Sequence, residues 1–240
     1  MHYFPISLPF VLFFVFLCIF LVTFIEVGIL SYAYQRMGIG RRHLFSLLLL
    51  SLFGSYINIP VFQLPPEQVM SNSYVDFFGV RHMIPLVNQW PGTVIAVNLG
   101  GAVIPVVLSI YLIVKNRLYG PAVVGIALLV FIVHLLAYPV RGVGIAVPVF
   151  LPPLAATAVA ITLSRKYAPS LAYISGSMGT LIGADILNLG KIQGLGAPVA
   201  SIGGAGTFDG IFLTGILAVL IAGFTVKANG GSTPSQLSSR

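Results

Sequence analysis

The sequence predicts an all-α, polytopic membrane bundle of about seven transmembrane helices, and three observations carry that prediction. Charged residues are 7% of the chain and hydrophobic ones 58%, whereas a soluble domain carries about a quarter charged residues. Several apolar runs exceed the roughly 18 residues that mark a bilayer span. Basic residues gather between or after those runs: Arg36 with Arg41 and Arg42, Lys115 with Arg117, Arg165 with Lys166, then Lys227 and Arg240. This is the positive-inside pattern, and it accounts for the net charge of +7 without a nucleic-acid partner.

In chain order the runs predict spans at 4–33, 43–62, 93–114, 121–140, 147–164, 169–189 and 207–226. The first is a retained span. No Lys or Arg precedes it in MHYFPISLPF and three arginines follow it, the reverse of a cleavable signal peptide. Putting every basic cluster in the cytoplasm then requires an outside N-terminus and a cytoplasmic C-terminus, and seven crossings satisfy that parity. Residues 1–227 form one transmembrane domain in this reading. The outer loop 63–92, rich in Phe77, Phe78 and Trp90, lies against the outer interface, and its Asp76 and Arg81 read as solvated loop charges. The polar tail 228–240 is expected to be disordered in the cytoplasm. The single Cys18 excludes a disulfide framework.

Given this orientation, polar side chains in the spans acquire a depth. Asn58 ends the second span at the outside and Asn98 starts the third there. Arg141 follows the fourth span, Asp185 and Asn188 close the sixth, and Asp209 opens the seventh. All six fall in the outer half, while Glu26 lies toward the inner end of the first span. Ser51, Ser55 and Asn58 are spaced to share one helix face, as are His134, Tyr138 and Arg141, and so are Asp185 and Asn188. Polar faces in lipid leave donors unsatisfied, so these should turn inward, toward one another or toward water. Asn58, Asn98, His134, Tyr138, Arg141 and Asn188 are therefore candidate substrate- or ion-binding residues.

Chain breakers occupy the same depth: Pro60, Gly100-Gly101, Pro139, Pro148, Pro152-Pro153 and Gly203-Gly204. Irregular backbone at membrane depth needs cover from protein or a water-filled cavity. Segments 139–153 and 194–206 are thus candidates for re-entry, a point the sequence leaves open. Gly179 and Gly183 form a small-xxx-small pair that invites close approach of another helix.

Asp185 and Asp209 sit on consecutive spans whose outer ends meet if the helices pack as sequential neighbours. Two aspartates brought close cannot both ionise cheaply, so one keeps its proton and the pair can act as acid and base on a water. The bland counterpart is a helix-capping Asp209, with Asp185 paired to Arg141 or Lys191.

Gly206-Thr-Phe-Asp209-Gly-Ile-Phe212 resembles the Gly-x-Gly-Asp-x-x-Phe segment of presenilin-type intramembrane aspartyl proteases. That resemblance implies Asp209 and Asp185 as catalytic partners. Phe208 stands where the family has glycine, and Ala184 where it has tyrosine. GADILNL at 183–189 with ASIGGAGTFDGIF at 200–212 resembles a prokaryotic multi-pass membrane family catalogued as a domain of unknown function, which implies a place in the prokaryotic cytoplasmic membrane. The leading expectation is an intramembrane hydrolase of aspartyl-protease type with catalytic Asp185 and Asp209. The alternative is a small ion-coupled transporter in which the same aspartates bind H⁺ or Na⁺. A non-catalytic membrane assembly factor is the third reading.

No cofactor or metal is expected. His2, His43, His82 and His134 lack ligand spacing, and the glycines at 194–206 lack the strand and Lys-Ser/Thr of a phosphate loop. Expected partners are the lipid bilayer, a membrane-protein or peptide substrate, and further copies of the chain.

Overall fold

The computed structural model describes residues 16, 27–39, 46–47, 50–51, 53–77, 80–90, 92–140, 144–193, 195, 197–204 and 210–230, with backbone alone at 67–77, 80–90 and 226–230. The chain is mostly helical. Helix α1 covers 27–36, and 46–47, 50–51 and 53–54 are helical positions of α2. Then come α3 (Ile104–Asn116), α4 (Tyr119–Leu136), α5 (Leu151–Leu163), α6 (Ala168–Thr180) and α7 (Gly210–Gly230). Two stretches, Leu99–Asn116 and Tyr119–Leu136, are long and apolar enough to cross a membrane.

Prolines mark the helix starts. Pro152 and Pro169 stand in the first turns of α5 and α6, where a missing N–H costs nothing, and Pro105 opens α3 directly after a more loosely wound turn. Helix α6 is the hub, packed against α3, α4, α5 and α7 and buried along nearly its whole length. Its small residues allow this. A Cβ on Gly176 would meet Ala156 of α5 and Thr214 of α7, and one on Gly179 would collide with Leu129 of α4. At Gly183 a Cβ would lie 2.7 Å from the Val130 carbonyl oxygen, so the small-xxx-small pair does receive a neighbouring helix, α4. On its opposite side α4 exposes Val124, Leu128, Phe131 and Leu135, and α3 exposes Val107, Ile110 and Val114.

Strands are present, which corrects the all-α expectation. The runs are β1 (Asn58–Gln63), β2 (Glu67–Phe77), β3 (Val80–Trp90), β4 (Val94–Asn98), β5 (Tyr138–Val140), β6 (Gly144–Ala146) and β7 (Val199–Ile202). β1 pairs antiparallel with β4, and β4 parallel with β7. The second span was expected to remain helical to residue 62, and the third to be helical from 93. Both apolar ends are instead extended, because hydropathy measures how apolar a run is and not its backbone period. Val94, Ile95 and Val97 are β-branched and suit a strand, and Pro60 sits on an edge strand beside a register shift, where proline is tolerated. The expected outer loop is largely the β2–β3 hairpin, with Asp76 and Arg81 in register. Residues 138–140 and 144–146 make a second small hairpin, so the fourth span's helix stops at Leu136. At the other end of the chain, α7 continues to Gly230, past the expected end of the seventh span.

Two helical stretches are wound more loosely than an α-helix. At Leu99–Val103 the Ile104 N–H reaches back to the Leu99 carbonyl, and at Leu181–Asp185 the Ile186 N–H reaches the Leu181 carbonyl. Each is a π-turn, a form concentrated at functional sites. A 3₁₀ turn over Ile186–Lys191 follows the second.

Candidate functional site

The three-stranded sheet collects the polar residues. Asn98 ends β4 fully buried and uses its whole amide. Its Oδ1 accepts from the Gly101 N–H at 2.7 Å, capping the first π-turn. Its Nδ2 donates to the Ser55 carbonyl at 2.7 Å and to Asn58 Oδ1 at 3.0 Å. Asn58 faces Asn98 in register, and its Oδ1 also accepts from Ser201 Oγ of β7 at 2.6 Å. One asparagine pair thus ties α2, all three strands and the π-turn together. Ser201→Ala removes one neutral hydrogen bond while Asn58 Oδ1 keeps the other. We expect it to lower stability by about 1 kcal/mol, measured by thermal unfolding in detergent.

Two residues beyond Ser201, the Gly203 N–H donates to Asp185 Oδ2 at 2.8 Å. Gly203 has φ +93°, and a Cβ there would lie 2.5 Å from the Ala102 nitrogen and 2.7 Å from the Ala102 Cβ and the Gly101 carbonyl carbon. Only glycine lets the chain turn at this point while pressed onto the first π-turn. Asp185 closes the second π-turn and is partly exposed.

The next polar residue along is Asn188, fully buried in the 3₁₀ turn. Its Nδ2 donates to the Gly183 and Ala184 carbonyls, both at 2.9 Å, and lies 3.3 Å from His134 Nδ1. Two carbonyls around that nitrogen fix the amide orientation. His134 Nδ1 also lies 3.4 Å from the Gly183 carbonyl, so this ring nitrogen accepts from Asn188 in one tautomer and donates to Gly183 in the other. Asn188 Oδ1 is buried with no hydrogen-bond partner among the described residues.

Two cavities meet at Asp185. The smaller, about 140 Å³, is lined by Asp185, Leu189, Ile145 and the whole of β7. The larger, about 290 Å³, is lined by Asp185, Thr180, Thr214, Pro148 and the start of α7 at Gly210 and Ile211. Five candidates therefore fall into linked networks: Asn58 and Asn98 at the sheet, Asp185 beside them through Gly203, and His134 with Asn188 one turn away. Tyr138 does not join them; it is a strand residue, 53% exposed. Its expected helical alignment with His134 is lost because α4 ends at Leu136. Asn58 likewise shares no helix face with Ser51 and Ser55, because α2 ends at Gly54 and Asn58 begins β1, although its side chain still reaches Asn98. Arg141, Glu26 and Asp209 lie outside the described residues. Gly210, the residue after Asp209, does line the larger cavity with Asp185.

Ser201 and the Gly203 N–H were not among the expected site groups. The Gly203-Gly204 pair was the available signal, since it marks irregular backbone. A backbone donor itself leaves no trace in residue identity.

Residues 52–221 match the family described as Protein of unknown function (DUF1614). The match covers more than half of the chain, and the chain belongs to that family. No curated protein and no solved structure matches it.

Proposed function

We propose that this member of the DUF1614 family is an integral membrane hydrolase of aspartyl-protease type, with Asp185 and Asp209 as its acid–base pair. The observation that carries this reading is the carboxylate of Asp185 lining two cavities, the larger of them shared with Gly210, the chain neighbour of Asp209. Membrane insertion is supported by the apolar faces that α3 and α4 leave uncovered. In this reading the chain crosses about seven times, with its N-terminus outside and the site beneath the outer leaflet.

The chemistry follows from two carboxyl groups sharing one proton. The ionised one takes a proton from water as the water oxygen bonds to the peptide carbonyl carbon. The protonated one gives its proton to the carbonyl oxygen, forming a gem-diol. Collapse returns a proton to the leaving nitrogen and breaks the C–N bond, giving an acid and an amine. Asn188 or Arg141 orients or tunes the pair, and His134 of α4 stands beside the Asn188 amide.

Reconstitution in vesicles with an apolar single-span reporter peptide tests this. Mass spectrometry should find two fragments with the wild-type chain and none when Asp185→Asn and Asp209→Asn are combined. Fragments formed by that double variant at the wild-type rate would end the proposal.

A second reading is favoured by Asp185 lining both cavities: a small ion-coupled transporter in which Asp185 and Asp209 load H⁺ or Na⁺. It predicts gradient-driven solute flux in liposomes that Asp185→Asn removes. Flux indifferent to both gradients rules it out.

A further inference from the structure

β7 is an edge strand, and its unpaired side opens onto the smaller cavity. Val94 N–H donates to the Pro198 carbonyl at 3.1 Å, and Val94 pairs in register with Val199. In a parallel ladder this assigns Pro198, Ala200 and Ile202 to β4. The backbone groups of Val199, Ser201 and Gly203 then point the other way.

Occupancy along that outward row is uneven. Gly203 N–H is held by Asp185 Oδ2, and the Ser201 carbonyl accepts from Gly204 N–H at 3.1 Å. The N–H of Ser201 and both backbone groups of Val199 have no partner among the described residues. Val199 is 46% exposed, and all four residues of β7 line the cavity with Asp185. Unpaired groups in a row on an open edge are a template for another strand.

We infer that an extended peptide binds by adding a strand to the outward edge of β7, pairing with Val199 and Ser201, so that its backbone runs onto the Asp185 carboxylate. Two residues of strand advance about 6.6 Å. A peptide bonded to Ser201 N–H therefore presents its next backbone unit where Asp185 meets Gly203. Main-chain hydrogen bonds supply the affinity of such pairing, and side-chain pockets the selectivity. Leu189, Ile192 and Ile145 across the cavity favour apolar side chains on the inward-facing positions. This inference rests on the hydrolase reading for what happens next, but the binding itself does not require it.

The test uses the full chain in detergent micelles, carrying Asp185→Asn so that nothing is cut, and a fluorescein-labelled peptide alternating valine and threonine. Anisotropy should show binding, with an analogue methylated at every backbone nitrogen binding at least about fivefold more weakly. Val199→Pro removes one outward N–H without touching the β4 ladder and should weaken the parent peptide comparably. If that variant fails to fold, the methylated analogue on the unaltered strand still decides the matter. Failure of the parent peptide to bind, or equal binding of parent and analogue, overturns the inference. Edge-dependent binding without cleavage by the wild-type chain supports the strand and removes only the hydrolase. Cleavage with edge-independent binding removes only the strand.

Discussion

If the chain is the hydrolase proposed above, Asp185→Asn is expected to lower peptide cleavage by at least about 10³-fold while leaving thermal unfolding within a few degrees of wild type. The separation follows from what the side chain does. Asparagine has nearly the same volume and presents an oxygen to the Gly203 N–H, which now sits 2.8 Å from Asp185 Oδ2. An amide cannot accept a proton from water or donate one to a developing alkoxide, so the chemistry is lost with the scaffold intact. Asp185→Ala behaves differently, because it strips the acceptor from a buried N–H and adds a stability cost of about 1–3 kcal/mol. Product formation by mass spectrometry and unfolding by near-ultraviolet circular dichroism read the two effects separately. An Asp185→Asn variant that cuts at the wild-type rate would show that Asp185 is no part of the chemistry.

Gly100→Ala is expected to be strongly damaging for a change that adds a single carbon. Its Cβ would be driven against the Ser51 carbonyl oxygen, the Ser55 nitrogen and, at 2.8 Å, the Ser55 Cα. These are backbone atoms of α2 and of the turn that follows it, so no side chain can swing aside. Overpacked cores that relax through side chains lose about 1–3 kcal/mol, and here the helix itself must move, so about 3 kcal/mol or more is expected. The shift would also pull Ser55 away from Asn98 and loosen the buried amide network. Gly120→Ala is the control: nothing lies within 4 Å of its Cβ, and in the first turn of α4 it should be neutral or stabilising by a few tenths of a kcal/mol. Equal unfolding temperatures for the two variants would show that α2 and the first π-turn are not pressed together.

The helical cores of α3 to α7 were legible because apolar runs, first-turn prolines and flanking basic residues all mark the same segments. The strands were not. VIAVN at 94–98 and VASI at 199–202 are short apolar runs, and hydropathy does not distinguish a strand from the end of a helix there. Their pairing joins residues about a hundred positions apart, a contact no local pattern encodes. Of the site, Asn58, Asn98, Asp185, His134 and Asn188 stood out because polar side chains in apolar runs need partners. Their partners were harder to foresee: three are backbone carbonyls, at Ser55, Gly183 and Ala184, and two are backbone N–H groups, at Gly101 and Gly203. Tyr138 was grouped with His134 on the assumption of an unbroken helix, and the helix ends between them.

The parallel pairing of β4 with β7, reinforced by Thr93 Oγ1 donating to the Ala197 carbonyl at 2.7 Å, sets an order of events during synthesis. A nascent chain that has just reached Asp185 still lacks the strand beside it and the glycine that holds its oxygen. Closing so long a loop is slow compared with helix formation. Asp185 therefore gains its Gly203 N–H partner only after residues 199–203 have been made and β7 has docked on β4.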